Sequence, residues 1–411
     1  MPDAAVPVAT GPLAGLRVLE LGHFVAAPFC TRLLGDLGAD VIKVEPPGAG
    51  DPVRQWGARH KGQSAWWSVH ARNKRCVTLD LKKPKAREIL LRLVAGSDAL
   101  VENFRPGQLD RMGLAEAALR AAKPDLVIAR ISGYGQDGPQ RDRAAFGVIG
   151  EAVGGLRHLT NHPPGTTDLP PVRVGISIGD SIAGIYAAFG IMAALWKRDA
   201  GRHGDGRGRG LDVALTESIF SLLEGALPEY GALGTVRQPT GGGIATAAPT
   251  NAYRARDGVW VLIAANSDPL FGKLAAAMGR PELADDPRFR GNQARCANVV
   301  ALDADIGLWT AQHDGAALEA LLEAADVPAT RAYTIADCAA DPQLRHRGMV
   351  REVVDAQLGP MLHPGIVPML PGDPGAIRWA GPPVGAHNDE VFGALGLGAG
   401  EIAALREEGV C

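Results

Sequence analysis

The chain has 411 residues, 46% of them hydrophobic and 21% charged, enough apolar material for a large core and a length that suits two domains. A formal net charge of -3 gives no global basic balance, so neither nucleic acid nor an anionic membrane is an expected partner, and a small-molecule ligand is. Five scattered cysteines without a C-x-x-C pair suggest neither a disulfide framework nor a zinc site and fit a reducing cytoplasm, and the first ten residues lack the basic start and apolar run of a signal peptide.

Residues 16–21 alternate in apolar character, residues 28–37 have helical spacing that stops at Gly38, and Val41-Ile42-Lys43-Val44 is a β-branched run ended by Pro46-Pro47. Strand, helix, strand in so short a span predicts a parallel βαβ unit. The pattern recurs at residues 77–79, 86–95, 99–101 and 126–129, which predicts an open α/β sheet. Further on, Ile182, Ile185, Tyr186, Phe189, Met192, Ala193 and Trp196 form a 3.6-residue stripe ending in Lys197-Arg198, expected to pack on that sheet. The uncharged stretch 181–196 is shorter than the ~20 residues of a spanning helix and reads as a buried one. A basic turn over 201–210 precedes residues 211–215, a strand or the start of a helix. Residues 230–330 change character, with a Gly-rich segment, a hairpin candidate around Arg256-Asp257-Gly258 and amphipathic helices. The expected organisation is a large α/β domain over 1–225, a smaller α+β domain over 226–335, and a proline-rich segment over 336–411 that returns to the large domain.

Gly179-Asp180-Ser181 stands at the entrance of the apolar helix, among unpaired N–H groups at the positive end of its dipole. An Asp or Ser there serves as an N-cap. The same placement keeps a carboxylate ionised and available as a nucleophile, with N–H groups ready for an oxyanion. Both readings stand on the residues alone. The Gly204 to Gly210 run follows a helix, not a strand, and no G-x-x-x-x-G-K-[ST] occurs, so nicotinamide and P-loop chemistry are disfavoured. His158 and His162 have metal-ligand spacing only if helical, and Thr160, Asn161, Pro163 and Pro164 make the segment a loop. Ser132 does not lie in G-x-S-x-G. Lys43, Lys74, Arg75, Lys82, Lys83, Arg105 and Arg111 read mostly as solvated charges, some near the strand ends where open sheets bind ligands.

Taken in order, several blocks resemble the class III CoA transferases, the family of formyl-CoA transferase and carnitine CoA transferase. They are residues 16–21, Leu37-Gly38-Ala39-Asp40-Val41-Ile42-Lys43-Val44-Glu45-Pro46, Asn73-Lys74-Arg75, Val101-Glu102-Asn103-Phe104-Arg105-Pro106-Gly107 and Leu109-Asp110-Arg111-Met112-Gly113. Ser132-Gly133-Tyr134-Gly135, Gly179-Asp180-Ser181, Gly206-Arg207-Gly208 and residues 385–391 complete the series, which spans almost the whole chain. The resemblance implies a doubly wound parallel sheet with a smaller domain, and ring-shaped monomers interlocked as a homodimer. It implies that Asp180 is the nucleophile and that no metal or permanently bound cofactor is needed, CoA being a substrate. It further implies CoA contacts from Leu79, Lys82, Asn103, Phe104, Arg105 and Arg111, with His23, Phe24 and Val25 approaching the nucleotide through their backbone, and a covering loop at Gly241-Gly242-Gly243. A CoA 3′-phosphate and diphosphate would draw on a few of the cations named above.

The α-methylacyl-CoA racemase branch resembles the same fold but pairs this aspartate with a histidine, and Ala144-Ala145-Phe146-Gly147-Val148 stands where that histidine belongs. A non-catalytic CoA-binding protein would keep the basic pocket without needing Asp180. Formyl-CoA transferase relatives carry Tyr-Glu-Asn in place of Phe146-Gly147-Val148, which turns the expectation from oxalate and formate to succinyl-CoA as donor and a C4 to C6 dicarboxylate as acceptor. Arg143, Arg157 and Arg173 are the candidates to pair with the distal carboxylate of such an acid.

Overall fold

The computed structural model describes residues 10–200 and 204–411; the N-terminal leader and the first residues of the predicted 201–210 turn lie outside the described residues. The apolar runs of the first half become six strands: β1 (Arg17–Glu20), β2 (Asp40–Glu45), β3 (Lys74–Thr78), β4 (Ala99–Glu102), β5 (Val127–Ser132) and β6 (Gly210–Ala214). All neighbours pair in parallel, in the order β3-β2-β1-β4-β5-β6. This is the doubly wound order, with its reversal of direction between β1 and β4. Such a sheet must be covered on both faces, and alternate residues of each strand serve the two sides. Leu19, Ile42, Leu100 and Ile128 face one apolar cluster, Val18, Val41, Val101 and Val127 the other.

The first cluster is closed by α2 (Pro84–Ala95) together with Phe392, Ile402 and Leu405 from the C-terminal segment. The second is closed by α1 (Ala26–Asp36) and by a long helix, Ile178–Asp199. That long helix differs from the sequence reading in three respects. It has 22 residues, a length and composition sufficient to cross a membrane, although 44% of its most apolar stretch is buried inside the fold. It starts before Asp180, which is its third residue and not its N-cap; Ser177 holds the cap position. The face turned inward is Ala183, Gly184, Ala187, Ala188, Ile191 and Ala194, whereas Ile185, Phe189 and Trp196 of the expected core stripe are 46%, 71% and 73% exposed. The cause is steric: a Cβ on Gly184 would lie 2.8 Å from the Ala26 carbonyl oxygen, so only small side chains allow the helix this close to α1.

Two compact units emerge. The sheet unit comprises the residues up to Leu156, Val174–Glu224 and Pro342–Cys411; the other comprises Arg157–Arg173 and Gly225–Asp341. In the second unit β7 (Thr250–Arg254), β8 (Trp260–Ala264) and β9 (Ala329–Arg331) form an antiparallel sheet, with the Arg256-Asp257-Gly258 turn joining the first two. Its core is Phe271, Leu274, Phe289, Leu302, Ile306, Leu318 and Leu322. His158 lies in a four-residue helix, Leu156–Leu159, and His162 in the loop beyond it, so the two do not share a helical face.

Several blocks of the resemblance are joints. Asn73, in the left-handed region at φ +62°, donates to Asp36 and to the Ala376 carbonyl and accepts from the Arg378 amide. Arg72 forms a two-pronged pair with Asp36, and Asn388 exchanges two hydrogen bonds with Thr78. The contacts of Ala376, Arg378 and Asn388 fasten the C-terminal segment to the strand β3 and the turn before it.

Candidate active site

In an open α/β sheet the ligand crevice lies beyond the carboxyl ends of the strands where their order reverses. Here β1 runs into Leu21-Gly22-His23-Phe24 and β4 into Asn103-Phe104-Arg105, and the two loops lock together. The His23 amide donates to Asn103 Oδ1 at 2.8 Å and the Asn103 amide nitrogen donates to the His23 carbonyl at 2.9 Å. His23 and Phe104 meet edge to face, 5.4 Å between ring centres. Beyond them lies a cavity of about 230 Å³, lined by His23, Phe24, Asn103, Phe104, Arg105, Arg143, Phe146 and Asp180 among others. α1 starts at this wall with no side-chain cap on its first turn.

Asp180 reaches the cavity because Gly147, the first residue of the helix Gly147–Val153, has no side chain. A Cβ there would lie 2.8 Å from Asp180 Cγ, and a Cβ on Gly179 would lie 2.6 Å from the Gly147 carbonyl oxygen. Arg143 lines the same cavity. Its guanidinium stands 5.5 Å from the Tyr134 ring centre and bonds Gln140 at 3.3 Å.

Beneath the loops runs a buried ionic chain that corrects the sequence reading. Lys43 and Lys74 are not solvated. Both are fully buried: Lys43 pairs with Glu20 at 2.7 Å and Asp51 at 2.8 Å, and Lys74 pairs with Glu20 at 2.8 Å. Two lysines and two carboxylates balance, as buried charges must. Arg75 is likewise engaged, with Asp40 and Glu390. Burial, followed by the nearby Lys43 charge, holds the His23 imidazole below its ordinary range. Burial raises the Glu102 carboxyl to about 7, against the Phe104 amide that it accepts at 2.6 Å.

Of the residues singled out from sequence, His23, Phe24, Asn103, Phe104, Arg105, Arg143 and Asp180 come together around this cavity. Val25 and Leu79 have buried side chains off its wall, the latter in the core under the sheet, and Lys82 and Arg111 also stand outside it. Arg157, Arg173 and Gly241-Gly242-Gly243 belong to the second unit, where the Gly241 amide donates to the Asn161 carbonyl. Asp51 escaped the sequence reading, since it lies in no periodic element and carries no signature, and Gly147, quoted there only within the 144–148 block, gave no sign of its contact with Asp180. Among the described residues no cluster of three His, Cys, Asp or Glu side chains could hold a metal ion.

A doubly wound sheet with an arginine and a carboxylate lining a crevice at its switch point defines an α/β protein with a polar cavity where such folds hold their ligands. The chain belongs to CoA-transferase family III, whose model matches residues 13–388. As a CoA-transferase it takes CoA thioesters as substrates. It is 45% identical over 401 residues to a succinyl-CoA:D-citramalate CoA-transferase of Chloroflexus aurantiacus, covering 97% of this chain and 98% of that one. It is 34% identical over 357 residues to the succinyl-CoA:glutarate CoA-transferase of Mus musculus, covering 86% of this chain and 79% of the relative. Among solved structures, a CAIB/BAIF family protein from Brucella suis is similar with a TM-score of 0.81 at 34% identity, over 94% of this chain and 100% of that one.

Proposed function

We propose that this enzyme moves CoA from succinyl-CoA to a C4 to C6 dicarboxylic acid, with Asp180 as covalent nucleophile. The observation that carries the reading is that Asp180 and Arg143 line one cavity with the loops at the switch point. Asp180 attacks the thioester carbonyl, and the C–S bond breaks to give a mixed anhydride and CoA thiolate. The thiolate attacks the aspartyl carbonyl, releasing succinate and leaving an aspartyl-CoA thioester. The acceptor carboxylate then displaces the thiolate to form a second anhydride, and the thiolate takes the acceptor's acyl group, freeing Asp180. Every bond broken is matched by one formed, and no proton or electron is left over.

His23, Phe24, Asn103, Phe104 and Arg105 would hold the CoA chain near the cavity, with Val25, Lys82, Arg111 and the backbone of Leu79 as further contacts. Arg143 would pair with the distal carboxylate of the acid, a charge-assisted contact of the kind that discriminates dicarboxylates from monocarboxylates. The names of the citramalate and glutarate transferases support the choice of acid class. We place the enzyme in the cytoplasm as a homodimer; five free cysteines support the first, and the exposed Phe189 and Trp196 face the second.

The test is to trap the intermediate. Enzyme incubated with succinyl-CoA and treated with hydroxylamine or borohydride should carry the modification at residue 180 by mass spectrometry, and Asp180→Ala should abolish exchange. Turnover continuing with residue 180 unmodified would end the mechanism.

A further inference from the structure

Phe24 adopts φ +64°, a left-handed conformation that a bulky side chain takes only when its surroundings impose it. The imposing group is visible. The Phe24 amide donates to Asp51 Oδ1 at 3.1 Å, and the same oxygen accepts the Val53 amide at 2.9 Å. The other carboxylate oxygen pairs with Lys43 at 2.8 Å, and Lys43 in turn donates to the Gly22 carbonyl at 2.8 Å. One buried ion pair therefore holds the residues on both sides of His23, while Asn103 holds His23 itself. The Asp51 side chain has no exposure and takes no part in lining the cavity, so it reaches a ligand through the loop residues beside it: Phe24, whose amide it accepts, and His23, whose Nδ1 stands 3.9 Å from its Oδ2.

We propose that Asp51 is a positioning residue of the CoA site: its carboxylate holds Phe24 in the left-handed conformation and so sets the shape of the Gly22–Phe24 loop at the switch point. The proposal rests on the reading that this cavity receives acyl-CoA. Asp51 acts as a hydrogen-bond acceptor first and as a charge second, because the amide of Phe24 needs an oxygen whereas Lys43 keeps Glu20 as a partner.

The two roles separate by substitution. Asp51→Asn removes the charge and keeps the acceptor; Asp51→Ala removes both. The dissociation constant for CoA, measured by calorimetry, should rise about tenfold in Asp51→Ala, the equivalent of the backbone cost of Phe24, and by no more than about threefold in Asp51→Asn. The effect should fall on CoA affinity more than on kcat. Glycine adopts φ +64° without strain, so in a Phe24→Gly background the Asp51→Ala effect should shrink to about twofold. Should the unbalanced lysine prevent folding, the same comparison is made with Lys43→Met added to both variants, which leaves Glu20 and Lys74 as a balanced pair. Equal CoA affinity in the Asn and Ala variants, or an Ala effect that is undiminished in the Phe24→Gly background, would overturn the positioning role. A wild-type enzyme that binds CoA with this pattern but transfers none from succinyl-CoA would instead overturn the functional reading and leave the role of Asp51 standing.

Discussion

Gly147 lies against the Asp180 carboxylate so closely that a β-carbon on the one would overlap the acid group of the other. The place of Asp180 in the cavity thus depends on the absence of a side chain on a neighbouring helix.

Gly147→Ala should fold, with overpacking costing about 1–3 kcal/mol, but should displace the carboxylate and lower CoA exchange by at least ~100-fold. Exchange rates read beside a urea unfolding curve separate the two effects. A variant exchanging at the wild-type rate would show that the Gly147 contact does not control the Asp180 carboxylate.

Arg143→Ala should raise KM for dicarboxylate acceptors by about 10- to 100-fold, as expected for a lost charge-assisted pair, and leave monocarboxylates of the same length unaffected. The check is a panel of succinate, glutarate, citramalate and butyrate. An equal loss for all four would assign the arginine a structural role.

Glu102 has a folded-state pKa raised to about 7, chiefly by burial, from an ordinary value of 4.5. A carboxyl that binds its proton more tightly when folded adds stability at low pH, and that contribution is lost as pH climbs through the folded value. Glu102→Gln should therefore flatten the decline in stability between those two pH values, by up to about 2–3 kcal/mol, while keeping an acceptor for the Phe104 amide. Urea midpoints of the two proteins followed across that range decide it; parallel curves would mean the carboxyl does not titrate there.

Gly184→Val should destabilise the sheet unit by about 1–3 kcal/mol, because the added carbons meet the Ala26 carbonyl and the Cys30 amide of α1. Thermal or urea unfolding measures it. Unchanged stability would imply that the long helix can shift outward at no cost.

The amino-acid order alone determined the alternation of strand and helix, the parallel sheet, and the family, because those depend on local periodicity and on motifs that can be read one after another. It also marked Asp180, since an acidic residue at the mouth of an apolar helix is a local feature. Only the tertiary structure decided which face of that helix turns inward: both faces are apolar, so hydrophobicity cannot choose, and the choice falls to the face small enough to approach α1. Burial of Lys43 and Lys74, and the parts taken by Asp51 and Gly147, were decided at the same level. A charge is solvated or buried, and a glycine idle or indispensable, according to what distant segments bring within a few ångströms of it.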